Sequence, residues 1–252
     1  LHYAQDLGAD KIATGHYVRS KEVAGKVQLL KGLDPGKDQS YFLYGLNQEQ
    51  ICSALFPIGD LEKPNVRDRA EKLGFDIFDK KDSTGICFIG ERDFKEFLQQ
   101  YIPAQPGIIV TSSGSKVGDH DGLMYYTLGQ RKGLGIGGGY GDGKGAWYVL
   151  DKDLENNELI VGQGHDHDGL YQKCLTASDL HWISGEAPNS ENLKAKIRYR
   201  AQDATCRITE LNNTDISVEF EEPRFAIAPG QSVVFYSENI CLGGAIIDKA
   251  FN

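Results

Sequence analysis

Among the five cysteines of the chain, Cys87 has the surroundings best suited to reactivity. It sits in a stretch without periodicity, behind Asp82-Ser-Thr-Gly and ahead of Phe88-Ile-Gly-Glu-Arg. Reactive groups concentrate in loops carried by rigid scaffolds. Lys80, Lys81 and Arg92 favour thiolate, the attacking form, at a neighbouring thiol. A structural thiol is the alternative. Cys52 falls in a helical pattern, and Cys174, Cys206 and Cys241 fall in or beside strand patterns. There cysteine usually acts as a small buried hydrophobe. No CxxC pair occurs, which argues against a zinc ribbon or a thioredoxin-type site.

A second constellation is Lys194-Ala-Lys-Ile-Arg-Tyr-Arg. Strand alternation would put Lys194, Lys196, Arg198 and Arg200 on one face and Ala195, Ile197 and Tyr199 on the other. Four cations with no acid among them suit phosphate contact, even in a chain of net charge −9. An ordinary exposed strand face is the competing reading. Two other patterns are weaker. Gly133, Gly135 and Gly138 satisfy G-x-G-x-x-G, but no helix pattern follows at 140–144, so a flexible loop beside Arg131 and Lys132 is the better account. His165-Asp-His-Asp would send its histidines to opposite sides of an extended backbone and reads as a turn. No metal site is expected.

Elements must position these residues. With 252 residues and 40% apolar side chains the chain can bury real cores, in two or three units. No apolar run approaches the ~18 residues of a membrane span, and no secretory pattern opens the chain, so a cytoplasmic setting is expected. Residue 1 is leucine and the single methionine is Met124, as expected of a piece cut from something longer. Helical spacing covers 1–7 and stops at Gly8, and a short buried strand at 11–14 leads into Gly15-His16, the back half of a βα repeat. Only that one parallel-type strand is visible, so its partners are expected upstream of Leu1. A helix starts at Asn47, with Gln50 completing a capping box. Another follows Pro64 to Leu73, closed by Gly74, with Val66, Ala70 and Leu73 on one face. Asp93 caps a short helix that turns Phe94, Phe97, Leu98 and Tyr101 inward. From Gly107 the period becomes two, with strands at 108–111, 116–117, 123–127, 146–150 and 158–161. Beyond residue 169, strands at 174–177, 194–200, 206–211, 216–220, 232–236 and 243–247 predict a small closed barrel.

Several strings occur here in order: Ile12-Ala-Thr-Gly-His-Tyr, Gly32-Leu-Asp-Pro-Gly-Lys-Asp-Gln-Ser-Tyr-Phe-Leu, Asp82-Ser-Thr-Gly-Ile-Cys-Phe-Ile-Gly and Leu128-Gly-Gln-Arg-Lys-Gly-Leu-Gly. With Lys196-Ile-Arg-Tyr-Arg and Pro229-Gly-Gln, they closely resemble the bacterial tRNA-specific 2-thiouridylases, which thiolate the wobble uridine. The resemblance covers essentially the whole chain. It implies the remnant of an α/β nucleotide-binding (ATP pyrophosphatase) domain over 1–92, a β-rich central domain over 93–168 and a C-terminal β-barrel over 169–252. It also implies ATP with Mg²⁺, adenylation of the uridine C2 oxygen, and sulfur delivery from a cysteine persulfide loaded by a sulfur-relay protein. A second thiol attacks the persulfide or closes a disulfide as sulfur leaves.

Position by position, the resemblance makes Cys87 the persulfide cysteine and Gly15 an ATP contact. It makes His16, Lys37, Asp38, Gln39, Arg198, Tyr199 and Gln231 tRNA contacts. The family's Ser-Gly-Gly-x-Asp-Ser phosphate loop and first catalytic cysteine have no counterpart here, as in a C-terminal two thirds, so the chain alone is expected to be inactive. Two other classes compete: a non-catalytic tRNA-binding module, and a thiol-based redox protein using Cys87.

Overall fold

The structure, a computed structural model, describes residues 1–80, 94–137, 145–188, 193–212 and 214–252. Contacts divide the chain into one unit of Leu1–Lys80, Lys173–Glu222 and Pro229–Asn252, and another of Lys81–Gln172 and Pro223–Ala228.

In the first unit, α1 (His2–Asp6) leads to β1 (Ile12–Ala13). A hairpin follows, β2 (Val18–Val23) and β3 (Lys26–Lys31), absent from the sequence expectations. Its turn residues Ala24 and Gly25 have φ of 50° and 77°, the backbone that matches strand twist in a two-residue connection. Helix α2 (Gln48–Cys52) carries the expected capping box: Gln50 N donates to Asn47 Oδ1 at 2.9 Å, and Asn47 N to Gln50 Oε1 at 3.0 Å. Directly after it, β4 (Ala54–Leu55) pairs in parallel with β1, Ile12 opposite Ala54. One partner of β1 therefore lies downstream, a strand absent from the sequence expectations because two residues are too few to show a period. Helix α3 (Lys63–Lys72) ends as expected before Gly74, at φ 74°. Its anticipated inner face is not packed here: none of its residues is buried, and Leu73 is 72% exposed.

The second unit begins with α4 (Phe94–Gln99), whose Asp93 cap lies outside the described residues. Tyr101, expected inside, is 70% exposed and meets Phe97 at 5.2 Å between ring centroids. Strands β5 (Gly107–Thr111), β6 (Lys116–His120), β7 (Trp147–Asp153) and β8 (Glu158–Gln163) form one sheet in the order β6-β5-β8-β7, with β5 and β8 parallel. Ile109, Val149, Leu159 and Val161 are fully buried in its core. The expected strand at 123–127 is instead a 3-10 turn over Leu123–Tyr125. Leu123 and Tyr126 both enter the core, a spacing of three that suits a turn and not a pleat. In the His165-Asp-His-Asp segment, His165 stacks on Phe225 at 4.6 Å, and His167 Nδ1 accepts from Gly169 N at 3.0 Å.

The rest of the first unit is the expected barrel: β9 (Tyr171–Trp182), β10 (Lys194–Lys196), β11 (Ala204–Leu211), β12 (Ile216–Phe225), β13 (Ser232–Ser237) and β14 (Ile240–Phe251). The order β13-β10-β11-β12-β9-β14 closes through β13–β14, Ser232 opposite Ile246. Hairpin β2–β3 extends it, with β3 pairing β14 at Ile240–Leu30 and Cys241–Leu29. This explains why Val233 to Tyr236 are all buried rather than alternating. One face of β13 lines the barrel, while Val234 and Tyr236 pack with Val18, Leu29 and Tyr41. Each such side chain contributes about 1.5–3 kcal/mol. Strand β10 stops at Lys196, not at residue 200 as expected; residues 197–200 bend and turn, and Ala201 N donates to Arg198 O at 3.0 Å. The four cations therefore do not share a strand face. No helix among the described residues is long and apolar enough to cross a membrane.

Candidate nucleic-acid interface

Beyond β3 the chain turns sharply at Gly32, where an added Cβ would lie 2.4 Å from Tyr17 O. Asp34 then folds the loop on itself. Its Oδ1 accepts from Gly36 N at 2.9 Å, its Oδ2 from Lys63 N at 3.1 Å, and its carbonyl from Lys37 N at 3.1 Å. This sends Asp38 inward, 6% exposed. Asp38 Oδ1 accepts from Gly32 N and Ser40 N, each at 3.1 Å, and Oδ2 from Ser40 Oγ at 3.0 Å. Gln39 Oε1 accepts from Tyr17 N at 2.9 Å, and Gln39 N donates to Tyr17 O at 3.1 Å. Of the three consecutive polar residues, Asp38 and Gln39 thus shape the loop, and Lys37 is half-buried at its edge.

The loop is tied to the barrel by charge. Lys196 Nζ, on a side chain only 12% exposed, lies 3.4 Å from Asp38 Oδ2 and 3.8 Å from Asp203 Oδ1. Lys31 pairs with the same Asp203. Both ammonium groups lie over the Tyr236 ring, at 4.4 Å for Lys31 and 5.3 Å for Lys196, and the Tyr236 hydroxyl is 3.2 Å from Ser40 Oγ. Two lysines against two aspartates make this network neutral. Beneath it, burial pushes the Cys241 thiol up to about 12, and Cys206 likewise to about 12. Neither is a thiolate at neutral pH. Among the described residues Cys52, Cys174, Cys206 and Cys241 are all free thiols.

Above the network opens a cavity of about 370 Å³, lined by Pro35, Lys37, Asp38, Lys196, Tyr199 and Arg200 among others. Its lining holds three cations against one carboxylate. Arg198 lies just before it; burial lowers its pKa and the nearby Tyr41 hydroxyl acts the other way. Burial pushes the Tyr41 hydroxyl itself up to about 12, and it donates to Ser232 O at 2.8 Å. The Tyr199 ring lies 4.4 Å from Phe42 and 6.3 Å from Tyr41.

The structure thus brings Lys37, Asp38 and Tyr199 together, with Gln39 and Arg198 adjoining them in the chain. Gly15, His16 and Gln231 do not line this cavity. His16 is hydrogen-bonded through Nδ1 to Thr14 Oγ1, and Gln231 is exposed beyond the Gly230 turn. Cys87 lies outside the described residues. Lys31, Phe42, Asp203 and Tyr236 were not anticipated: Lys31 and Asp203 are 172 residues apart, a pairing that no local pattern encodes.

For a nucleotide, the described residues fit one edge of a site. Gly15 follows the carboxyl end of a parallel strand, where nucleotides bind in α/β sheets, and space around it is open. No group of His, Cys, Asp or Glu able to hold a metal ion occurs among the described residues.

Three family models match the chain: the tRNA methyl transferase HUP domain over residues 1–91, the tRNA methyl transferase PRC-barrel domain over 95–163, and the aminomethyltransferase beta-barrel domain over 172–247. The class is thus a HUP-type domain followed by a PRC-barrel and a closed β-barrel. Full-length relatives narrow it further. The tRNA-specific 2-thiouridylase MnmA of Methylococcus capsulatus is 58% identical over 255 residues, spanning 100% of this chain and 69% of the relative. That of Salmonella typhimurium is 58% identical over 248 residues (98% and 67%), and that of Idiomarina loihiensis 57% over 247 (98% and 67%). The chain belongs to the tRNA-specific 2-thiouridylase family.

Proposed function

We propose that the chain is the tRNA-gripping and sulfur-carrying part of a tRNA-uridine 2-sulfurtransferase, acting on the wobble uridine in the cytoplasm. The observation that carries this is the cation-lined cavity where Lys37 and Asp38 meet Lys196, Tyr199 and Arg200. In a chain of net charge −9, Lys37 and Arg200 at this opening, beside a Lys196 whose charge Asp38 and Asp203 answer, suit a phosphate group there. Lys37, Arg198, Tyr199 and Arg200 make the contacts, Asp38 and Gln39 hold the loop in shape, and His16 and Gln231 extend the footprint. The boundaries 1–92, 93–168 and 169–252 are kept as working domains.

ATP with Mg²⁺, as co-substrate of the complete enzyme, supplies the adenylate that makes the uridine C2 oxygen a good leaving group. Gly15 borders that nucleotide without side-chain obstruction. Cys87 carries the sulfur as a persulfide received from a relay protein. Its terminal sulfur forms the bond to C2 as AMP departs with the oxygen, and a second cysteine takes up the remaining sulfur bond as a disulfide. The 252 residues alone contain no phosphate loop and no such second cysteine motif, so they bind tRNA without turnover.

The test is ATP- and sulfur-dependent formation of 2-thiouridine in tRNA by the full-length protein. Cys87→Ser should abolish it and leave tRNA affinity unchanged. Undiminished thiolation by that variant removes Cys87 from the mechanism, and turnover by the 252-residue chain refutes its inactivity. A non-catalytic tRNA-binding module is the second reading, favoured by a cavity whose described lining offers cations and an aromatic ring, suited to binding. It predicts full tRNA binding with no Cys87-dependent product in either protein.

A further inference from the structure

Within the short turn Ser40–Phe42, consecutive aromatic side chains have opposite fates. Tyr41 is buried, its hydroxyl held by Ser232 O, whereas Phe42 is 56% exposed. A lone exposed apolar side chain is ordinary at a protein surface; what sets Phe42 apart is its packing on an aromatic ring that lines a cation-bearing cavity. Phe42 is also braced on two sides. Its N–H donates to Gln39 O at 3.0 Å, and its ring packs on Tyr199 at 4.4 Å with a 39° tilt and edge-on to Tyr41 at 5.6 Å. Tyr199 in turn lines the cavity that holds Lys37, Lys196 and Arg200. An exposed, braced aromatic ring therefore stands one ring away from a cluster of cations.

That juxtaposition suits one ligand chemistry above others. A phosphate alone needs the cations but not the ring. An apolar peptide needs the ring but not an excess of positive charge. An unpaired nucleotide uses both, its base on the π-face and its phosphate among the cations. A paired base in a duplex offers no free face to such a ring. We infer that Phe42, backed by Tyr199, is the stacking platform for one unpaired nucleobase of the bound RNA, with the adjoining phosphate in the Lys37–Arg200 cavity. The inference rests on the tRNA-binding reading above and deepens it, adding a residue and specifying single-stranded character at that contact.

The experiment titrates this chain and its Phe42→Leu and Phe42→Trp variants with a short RNA stem-loop and with versions carrying one abasic nucleotide at each loop position. Leucine keeps apolar volume and removes the π-face. Phe42→Leu should weaken binding by about 5-fold or more, within the ~5- to ~150-fold range of base–aromatic stacking. The slope of affinity against salt should not change, because no phosphate contact is lost. At one abasic position, and only there, wild type should lose affinity while Phe42→Leu adds nothing further. A loss under about 5-fold on an intact fold, or additive losses at every abasic position, overturns the inference. Should Phe42→Leu fail to fold, Phe42→Trp decides: equal or tighter binding is expected, and weaker binding overturns. If wild type itself does not bind the stem-loop or whole tRNA, the tRNA reading falls and takes this inference with it. If wild type binds and Phe42 is silent, only the stacking platform falls.

Discussion

Replacing Asp38 by Asn keeps the shape of the side chain and removes one of the two negative charges in the neutral network. The native carboxylate accepts from Gly32 N, Ser40 N, Ser40 Oγ and Lys196 Nζ. An amide can still serve the two backbone donors through its oxygen. Its NH₂ group then faces the Lys196 ammonium, donor against donor. Lys31 and Lys196 are left to share Asp203. Breaking a fully buried pair costs about 3–5 kcal/mol. The Asp203 side chain retains 22% exposure, so water relieves part of this, and about 2–3 kcal/mol is expected. At roughly 2–4 °C per kcal/mol for a chain of this size, Tm of the first unit should fall by about 4–12 °C. Trp182, in β9 and 5.4 Å from Phe235, reports that unit once Trp147 is replaced by Phe. Adding Lys196→Met should recover most of the loss, because an uncharged pair no longer carries an unmatched cation. A Tm shift under about 2 °C, or strictly additive losses in the double variant, refutes the network as an energetic unit.

Alkaline pH should destabilise the first unit. Burial raises Cys206 and Cys241 from 9.0 to about 12, and Tyr41 from 10.0 to about 12. Between those values the unfolded chain has released protons that the folded chain still holds, so stability is complete below about pH 9 and declines as pH rises toward 12. Urea midpoints should drop across that window, and a flat profile counts against the burial of these groups. In the second unit, Gly107→Ala would put a Cβ 2.2 Å from Asn157 O and 2.7 Å from His120 Nε2. A cost of about 1–3 kcal/mol is expected from such overpacking, read as an earlier loss of the Trp147 signal, and unchanged stability contradicts the close approach. For RNA binding, Arg200→Ala should lower the salt slope by about 0.7 per lost phosphate contact, the single-strand value, whereas Lys196→Met should leave the slope unchanged. Equal effects would mean that Lys196 contacts phosphate after all.

Which features were legible depended on whether their cause was local. The Asn47–Gln50 capping box involves neighbours three residues apart and was readable as it stands. So was a barrel strand such as β12, where Ile216, Val218 and Phe220 record one buried face. Strand β2 was not, because it is the outermost strand of its sheet; after Val18 its residues are half-buried or exposed, leaving no period to detect. Residues 194–200 misled for the opposite reason. Their alternation is real, and Ala195 and Ile197 are both buried, but the backbone leaves the ladder after Lys196. Pattern also counted Lys196 as a surface cation, when its charge is answered by Asp38, 158 residues earlier in the chain. The cavity depends on that pairing, so the site was legible as two separate strings and not as one place.

The neutrality of the network bears on how an acidic chain can hold RNA. Had Lys31 and Lys196 faced the ligand directly, the loop at 32–40 would have needed other partners to stay folded, and ordering it would have opposed binding. Instead Asp38 and Asp203 commit those two lysines to architecture. The loop is fixed by backbone donors and by Gln39 before any ligand arrives. The ordering entropy is then met during folding, and affinity gains from preorganisation rather than from the number of cations. Side chains at the opening, Lys37, Arg200 and the Phe42–Tyr199 pair, are thereby held at set positions on a rigid barrel edge. Loosening the loop through Asp38 should therefore weaken RNA binding without changing its salt slope, since the number of phosphate contacts stays the same.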